Sequence, residues 1–164
     1  IGFNAVPALL AGRISAATGF WNDEGIAVRQ ARPGAHVFRV DAYGAPSYPE
    51  LVLCATATTV RRDPRLARAV VAGLVRGYDF AIRHAQAAAA ELESRAPGLN
   101  PRLVSEQLAA LEPAFLGRGG LVGQLDPAIL EKWARWEARF RIVRQPPDVT
   151  AMFDSSFLPS AGPG

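Results

Sequence analysis

The sequence predicts an α/β fold, on three observations. Short apolar segments rich in β-formers fill the first third of the chain, bounded by turn residues. From residue 63 onward the apolar residues recur at the helical period instead. Over 164 positions, 49% of residues are hydrophobic and 20% charged, the balance of a globular protein with a sizeable core. By length the chain is one domain or part of a larger one. No stretch approaches the roughly 18 uninterrupted apolar residues of a membrane span.

Ile1-Gly2-Phe3 reads as a short apolar end, and Pro7 to Ala11 as a short helix with Gly12 in its C′ position. Three strands are expected, over Ile14–Phe20, Ala35–Val40 and Leu51–Thr59. Trp21 to Gly25 follows the first as a loop or first helical turn, and Tyr43 to Pro49 is a connection stiffened by two prolines. Asp63-Pro64 is a cap followed by proline in the first helical position, and it opens a helix over 64–82. The stripe of that helix is Leu66, Val70, Val71, Leu74, Tyr78, Ala81 and Ile82. Asn100-Pro101 and Asp126-Pro127 repeat the signal. The second opens a helix over 127–140 with Ile129, Trp133, Trp136 and Phe140 inward. Pro146-Pro147-Asp148 opens a short last helix, and residues 160–164 read as a loose tail.

The charge balance excludes less than the pI of about 9.6 suggests. Residues 1–60 hold four Arg against four acids, and residues 96–164 seven basic against seven acidic groups. The whole excess of three lies in 61–95, where seven Arg face four acids along helical sequence without interleaved exposed aromatics. That pattern reads as a solvated helix face, not a nucleic-acid stripe. The single cysteine, Cys54, excludes an internal disulfide framework and a multi-cysteine zinc site, and its apolar surroundings predict an inert core residue. His36 and His84 are isolated, so no metal and no cofactor are expected. The Gly117-to-Gly123 run lacks the Lys-Ser/Thr of a phosphate loop and follows a helix, so it reads as a plain loop. The chain opens on Ile1 and its only methionine is Met152, which predicts a C-terminal piece of a longer product.

One constellation carries candidate chemistry: Trp21, Asn22, Asp23 and Glu24, just past an expected strand end, where α/β sheets place ligand sites. Trp offers a flat stacking face, Asn both a donor and an acceptor, and a carboxylate accepts from N–H groups. The set suits a small planar heterocycle carrying N–H donors. It equally suits a helix N-terminus capped by Asn22 or Asp23 with Trp21 packed nearby. Tyr43 and Tyr48 form a second aromatic set, readable as a site wall or as packing on a proline-stiffened turn.

Four runs carry a family resemblance: Gly2-Phe3-Asn4-Ala5-Val6-Pro7-Ala8-Leu9-Leu10-Ala11-Gly12, Gly19-Phe20-Trp21-Asn22-Asp23-Glu24-Gly25, Tyr43-Gly44-Ala45-Pro46-Ser47-Tyr48-Pro49-Glu50-Leu51-Val52-Leu53, and Phe153-Asp154-Ser155-Ser156-Phe157-Leu158-Pro159. Their order and spacing resemble the C-terminal half of the NMT1/THI5-like family of substrate-binding proteins, which serve ABC importers. The second and third runs look like members that bind pyrimidine precursors; the others are shared with relatives that bind sulfonates, nitrate or riboflavin. Ser15 departs from the Asp usual in the family.

The resemblance implies a periplasmic-binding-protein-like type II fold, with two α/β lobes around a cleft. Residues 1–41 would end the second lobe, 42–50 form the hinge crossing, and 51–164 supply the C-terminal part of the first lobe. It also implies capture of a thiamine-pyrimidine-like heterocycle by a monomer, delivery to a membrane permease, and an extracytoplasmic location. Trp21 would stack on the ring, and Asn22 and Glu24 would bond its polar edge. Asn4 and Tyr43 would approach from the other strand end and the crossing. The alternatives are a thiamine-pyrimidine synthase-like enzyme, for which Lys132 and Cys54 are the only lysine and cysteine, and a truncated remnant without a complete cleft.

Overall fold

Helices make up nearly all the regular structure in the computed structural model, which describes residues 4–117 and 119–160. In chain order they are α1 (Ala5–Leu10), α2 (Glu24–Ala31), α3 (Ala57–Arg62), α4 (Pro64–Arg83), α5 (Ala85–Arg95), α6 (Pro101–Leu111), α7 (Pro127–Arg139) and α8 (Val149–Met152). Short 3-10 turns cover Val40–Tyr43, Glu112–Ala114 and Ser155–Phe157. The expected apolar end at Ile1–Phe3 and the tail beyond Ser160 lie outside the described residues, as does Arg118.

The Asx-Pro pairs start helices as expected. Asn100 Oδ1 accepts from the N–H groups of Arg102 and Leu103 at 3.0 and 3.2 Å. Asp126 Oδ1 accepts from Ala128 N at 2.9 Å, and Asp63 Oδ1 from Leu66 N at 2.9 Å. Asp148 caps α8 through Thr150 N and Ala151 N. Each bond satisfies a donor that the first helical turn leaves open. Gly12, just past α1, has φ +69°, the left-handed geometry expected of it.

The α/β expectation is overturned: among the described residues there is no sheet, and the sole β feature is an isolated antiparallel bridge between Leu116 and Val122. The two-lobe, periplasmic-binding-protein-like type II architecture is therefore not what this chain shows. Ile14–Phe20 and Ala35–Val40 carry β-forming residues but have no partner strand, and Val40 already opens a 3-10 turn. Strand propensity expresses packing against neighbours, so it decides nothing alone. In Leu51–Thr59 a local bond wins instead. Thr56 Oγ1 accepts from Thr59 N at 3.1 Å, and the chain turns into α3 at Ala57. Leu51 is left 81% exposed, and Cys54, expected in the core, is exposed as well.

Two units divide the chain: residues 1–39 with 80–114, and residues 40–79 with 115–164. In the first, α2 packs on α1 and α6, and α5 on α6. Its buried residues are Ala8, Ile26, Val28, Ala89 and Val104. In the second, α7 packs on α8, and Leu130, Ala134 and Val149 form the core, with Leu125 and Phe153 against it. The inward face of α7 is thus one position round from the one expected: Phe140 is exposed, and Trp133 instead stacks on Tyr48 with ring centroids 5.6 Å apart. The expected stripe of α4 buries no residue, and Leu66, Val70 and Leu74 stay exposed. The seven Arg of 61–95 are exposed.

Candidate functional site

The Trp21–Glu24 turn is built by its own backbone. Phe20 C=O accepts from Asp23 N at 3.2 Å and from Gly25 N at 2.9 Å. Glu24 reaches back, and its Oε2 accepts from Phe20 N at 2.8 Å. Two glycines permit this closeness. A Cβ on Gly19 would stand 3.0 Å from Glu24 Cβ, and one on Gly25 3.3 Å from Phe20 O. The run from Gly19 to Gly25 therefore encodes a closed turn feeding α2.

Side chains of α6 hold the turn and α2 from below. Gln107 Nε2 donates to Asp23 Oδ1 in a short bond. Gln30 Nε2 donates to Glu106 Oε2 at 2.6 Å, and Arg102 Nε to Glu106 Oε1 at 3.0 Å. The bond from Gln30, then that from Arg102, holds the Glu106 carboxyl below its usual range. At the other end of α2, an Arg32 guanidinium N–H donates to Leu10 O at 3.0 Å, tying α2 to the last turn of α1. Gln30, Arg102, Glu106 and Gln107 were not singled out in the sequence. They stand 76 to 84 residues from their partners across the bonds Gln30–Glu106 and Gln107–Asp23, and no local pattern announces such a meeting.

The expected site residues fall as follows. Trp21, Asn22 and Glu24 are brought together in this one turn. Trp21 is 49% exposed. Asn22 is half-buried, and its Oδ1 is shut off from solvent with no hydrogen-bond partner. Glu24 is half-buried, with one carboxylate oxygen engaged by Phe20 N–H. Neither Asn22 nor Asp23 caps α2 through its side chain: Asp23 occupies the N-cap position but bonds Gln107 instead. Asn4 precedes α1, exposed and without a side-chain cap bond. Tyr43 ends the 3-10 turn of the other unit and is 75% exposed. No group of three or more His, Cys, Asp or Glu residues among those described could hold a metal ion.

Such a turn can offer an aromatic face and, beside it, an acceptor oxygen lacking a donor. A buried unpaired carbonyl costs about 1–3 kcal/mol, which a ligand N–H would recover only once the turn opens, because the oxygen is closed off from solvent. Compared with family models, residues 1–88 match the one described as NMT1/THI5 like, a stretch that contains Asn4, the Trp21–Glu24 turn and Tyr43. Neither curated proteins nor solved structures gave a match.

Proposed function

Because the chain belongs to the NMT1/THI5-like family, which includes substrate-binding proteins, we propose that it captures a small heterocycle and delivers it to the permease of an ABC importer. The ligand is a planar ring with N–H donors, of the thiamine-pyrimidine-precursor type, bound outside the cytoplasm. Trp21 stacks on the ring, and Asn22 accepts from its edge. Glu24 contributes its second oxygen, the first being held by Phe20 N–H. No bond is made or broken. The observation that carries this reading is the sequestered, unpartnered Oδ1 of Asn22 beside a half-exposed tryptophan. The family also has enzyme-like members. Lys132 and Cys54, the only lysine and cysteine of the sequence, both belong to the unit without the Trp21 turn.

Calorimetric titration with an aminopyrimidine, a flavin and a sulfonate tests the reading. Saturable binding of the aminopyrimidine is expected, weakened by about 1–3 kcal/mol in Trp21→Ala, the range for stacking on a base. Binding of the sulfonate in place of the heterocycles would reject the ligand class.

A further inference from the structure

The second unit carries a groove of ≈ 460 Å³ between the Ser47-Tyr48-Pro49 turn and the 116–130 stretch. We propose that it is a separate ligand site, taking a neutral planar ring that bears hydrogen-bond acceptors, such as a carbonyl or a ring nitrogen. The volume lies within the range of small-molecule sites, and the lining has their composition, an apolar floor with a few polar groups. Leu125, Ile129 and Leu130 supply apolar surface. Tyr48 supplies an aromatic ring, held by its stacking on Trp133 and about half exposed.

The polar rim is set by the glycine-rich loop, which the sequence left without a role. Gln124 Oε1 accepts from Gly119 N at 3.2 Å, which fixes the amide with its nitrogen as the group left to bind. That Nε2 makes no hydrogen bond among the described residues and brings two N–H donors. The loop closes on this side chain tightly. A Cβ on Gly117 would stand 2.9 Å from Gln124 Cβ, and one on Gly119 2.7 Å from Gln124 Oε1. The Leu116–Val122 bridge staples the loop base. Ser47 adds a hydroxyl. Among the described lining residues the one charged side chain is Asp126, a carboxylate that disfavours an anionic ring. The site stands independently of the reading given to Trp21, since all its residues belong to the other unit.

The test is a chemical-shift titration of the isotope-labelled protein with 2-pyrimidinone, and with benzenesulfonate as the anionic ring. Saturable shifts at Tyr48, Ile129 and the Gln124 side-chain amide are expected, with none from benzenesulfonate. Tyr48→Ala should weaken the affinity about tenfold, within the range for stacking on an aromatic side chain. Ser47→Trp, at an exposed position on the rim, should block the groove without lowering the melting temperature, and it decides the matter if Tyr48→Ala fails to fold. Trp21→Ala should leave these shifts unchanged. Absence of shifts in the groove, equal binding of benzenesulfonate, an unaffected Ser47→Trp variant, or loss of the shifts in Trp21→Ala would each overturn the proposal.

Discussion

Asn22→Ala separates a ligand-binding turn from a structural one by the sign of its effect. The side chain is half-buried and its Oδ1 has no partner. Removing it lifts a desolvation penalty of about 1–3 kcal/mol. Against that stands the lost apolar contact of a small side chain, about 1 kcal/mol at most. The variant should therefore be as stable as the parent or more stable by up to about 2 kcal/mol. For a chain of this length each kcal/mol moves the melting temperature by about 2–4 °C. Heterocycle binding should change the other way. Loss of one neutral hydrogen bond, about 0.5–1.5 kcal/mol, raises Kd by about 2- to 13-fold. Differential scanning calorimetry and isothermal titration on the same preparation read both quantities. Stability gained where affinity is lost is the mark of a functional group retained at a cost to the fold. A fall in melting temperature with Kd unchanged would refute the reasoning and make Asn22 a packing residue.

Glu24→Ala should act oppositely, lowering stability by about 1 kcal/mol through loss of the acceptor for Phe20 N–H, while Glu24→Gln keeps most of it; equal thermal melts for all three would show that the bond contributes nothing. Leu130 is 3% exposed at the centre of the second unit's core, so Leu130→Ala should cost about 2–5 kcal/mol in urea unfolding. Arg141, two residues past the end of α7, has φ 59°, and Arg141→Gly should stabilise by about 0.5 kcal/mol, the left-handed strain of about 1–2 kcal/mol slightly exceeding the entropy cost of glycine; thermal melts check the sign. The Asp148 carboxyl is held below its usual value of 3.8, first by the Thr150 hydroxyl and then by the Ala151 and Thr150 N–H groups. A folded pKa that is lowered gives stability present above the unfolded value and lost as pH falls through the folded one. Melting temperature should therefore drop on acidification below about pH 4, and Asp148→Asn, which keeps an acceptor but cannot titrate, should flatten that part of the profile; an unchanged slope would exclude Asp148 as its source.

The helices that open on a capping Asx residue were legible because their signals are local. Asp63-Pro64, Asn100-Pro101, Asp126-Pro127 and Asp148 each place an acceptor beside a first turn, and each forms the bond that the residue types imply. The strands were not, because β-forming residues specify only that a segment would suit a pleated, half-buried neighbourhood. Leu51–Thr59 satisfies that description and still ends in α3, since a Thr56–Thr59 bond is available within four residues and no strand lies alongside. Periodicity was legible in α7, but its phase was not. Ile129 and Trp133 lie one position from Leu130 and Ala134, and 100° of rotation decides which row meets Val149.

At the candidate site the same division holds, one level higher. Trp21 to Gly25 reads in the sequence as a loop or first helical turn; the structure closes it, with Gly19 and Gly25 leaving room beside Glu24 and Phe20 O. What the turn can offer a ligand depends on which of its polar groups the fold consumes. Asp23, half of the capping reading, is taken by Gln107; Glu24, half of the ligand reading, lends one oxygen to Phe20 N–H. Asn22 is left over, and that subtraction is tertiary: it needs α6 in place, 84 residues on from Asp23. All four consecutive residues were candidates in the sequence. Packing makes two of them parts of the scaffold, leaves Trp21 half exposed, and leaves Asn22 with an acceptor that nothing in its own unit satisfies.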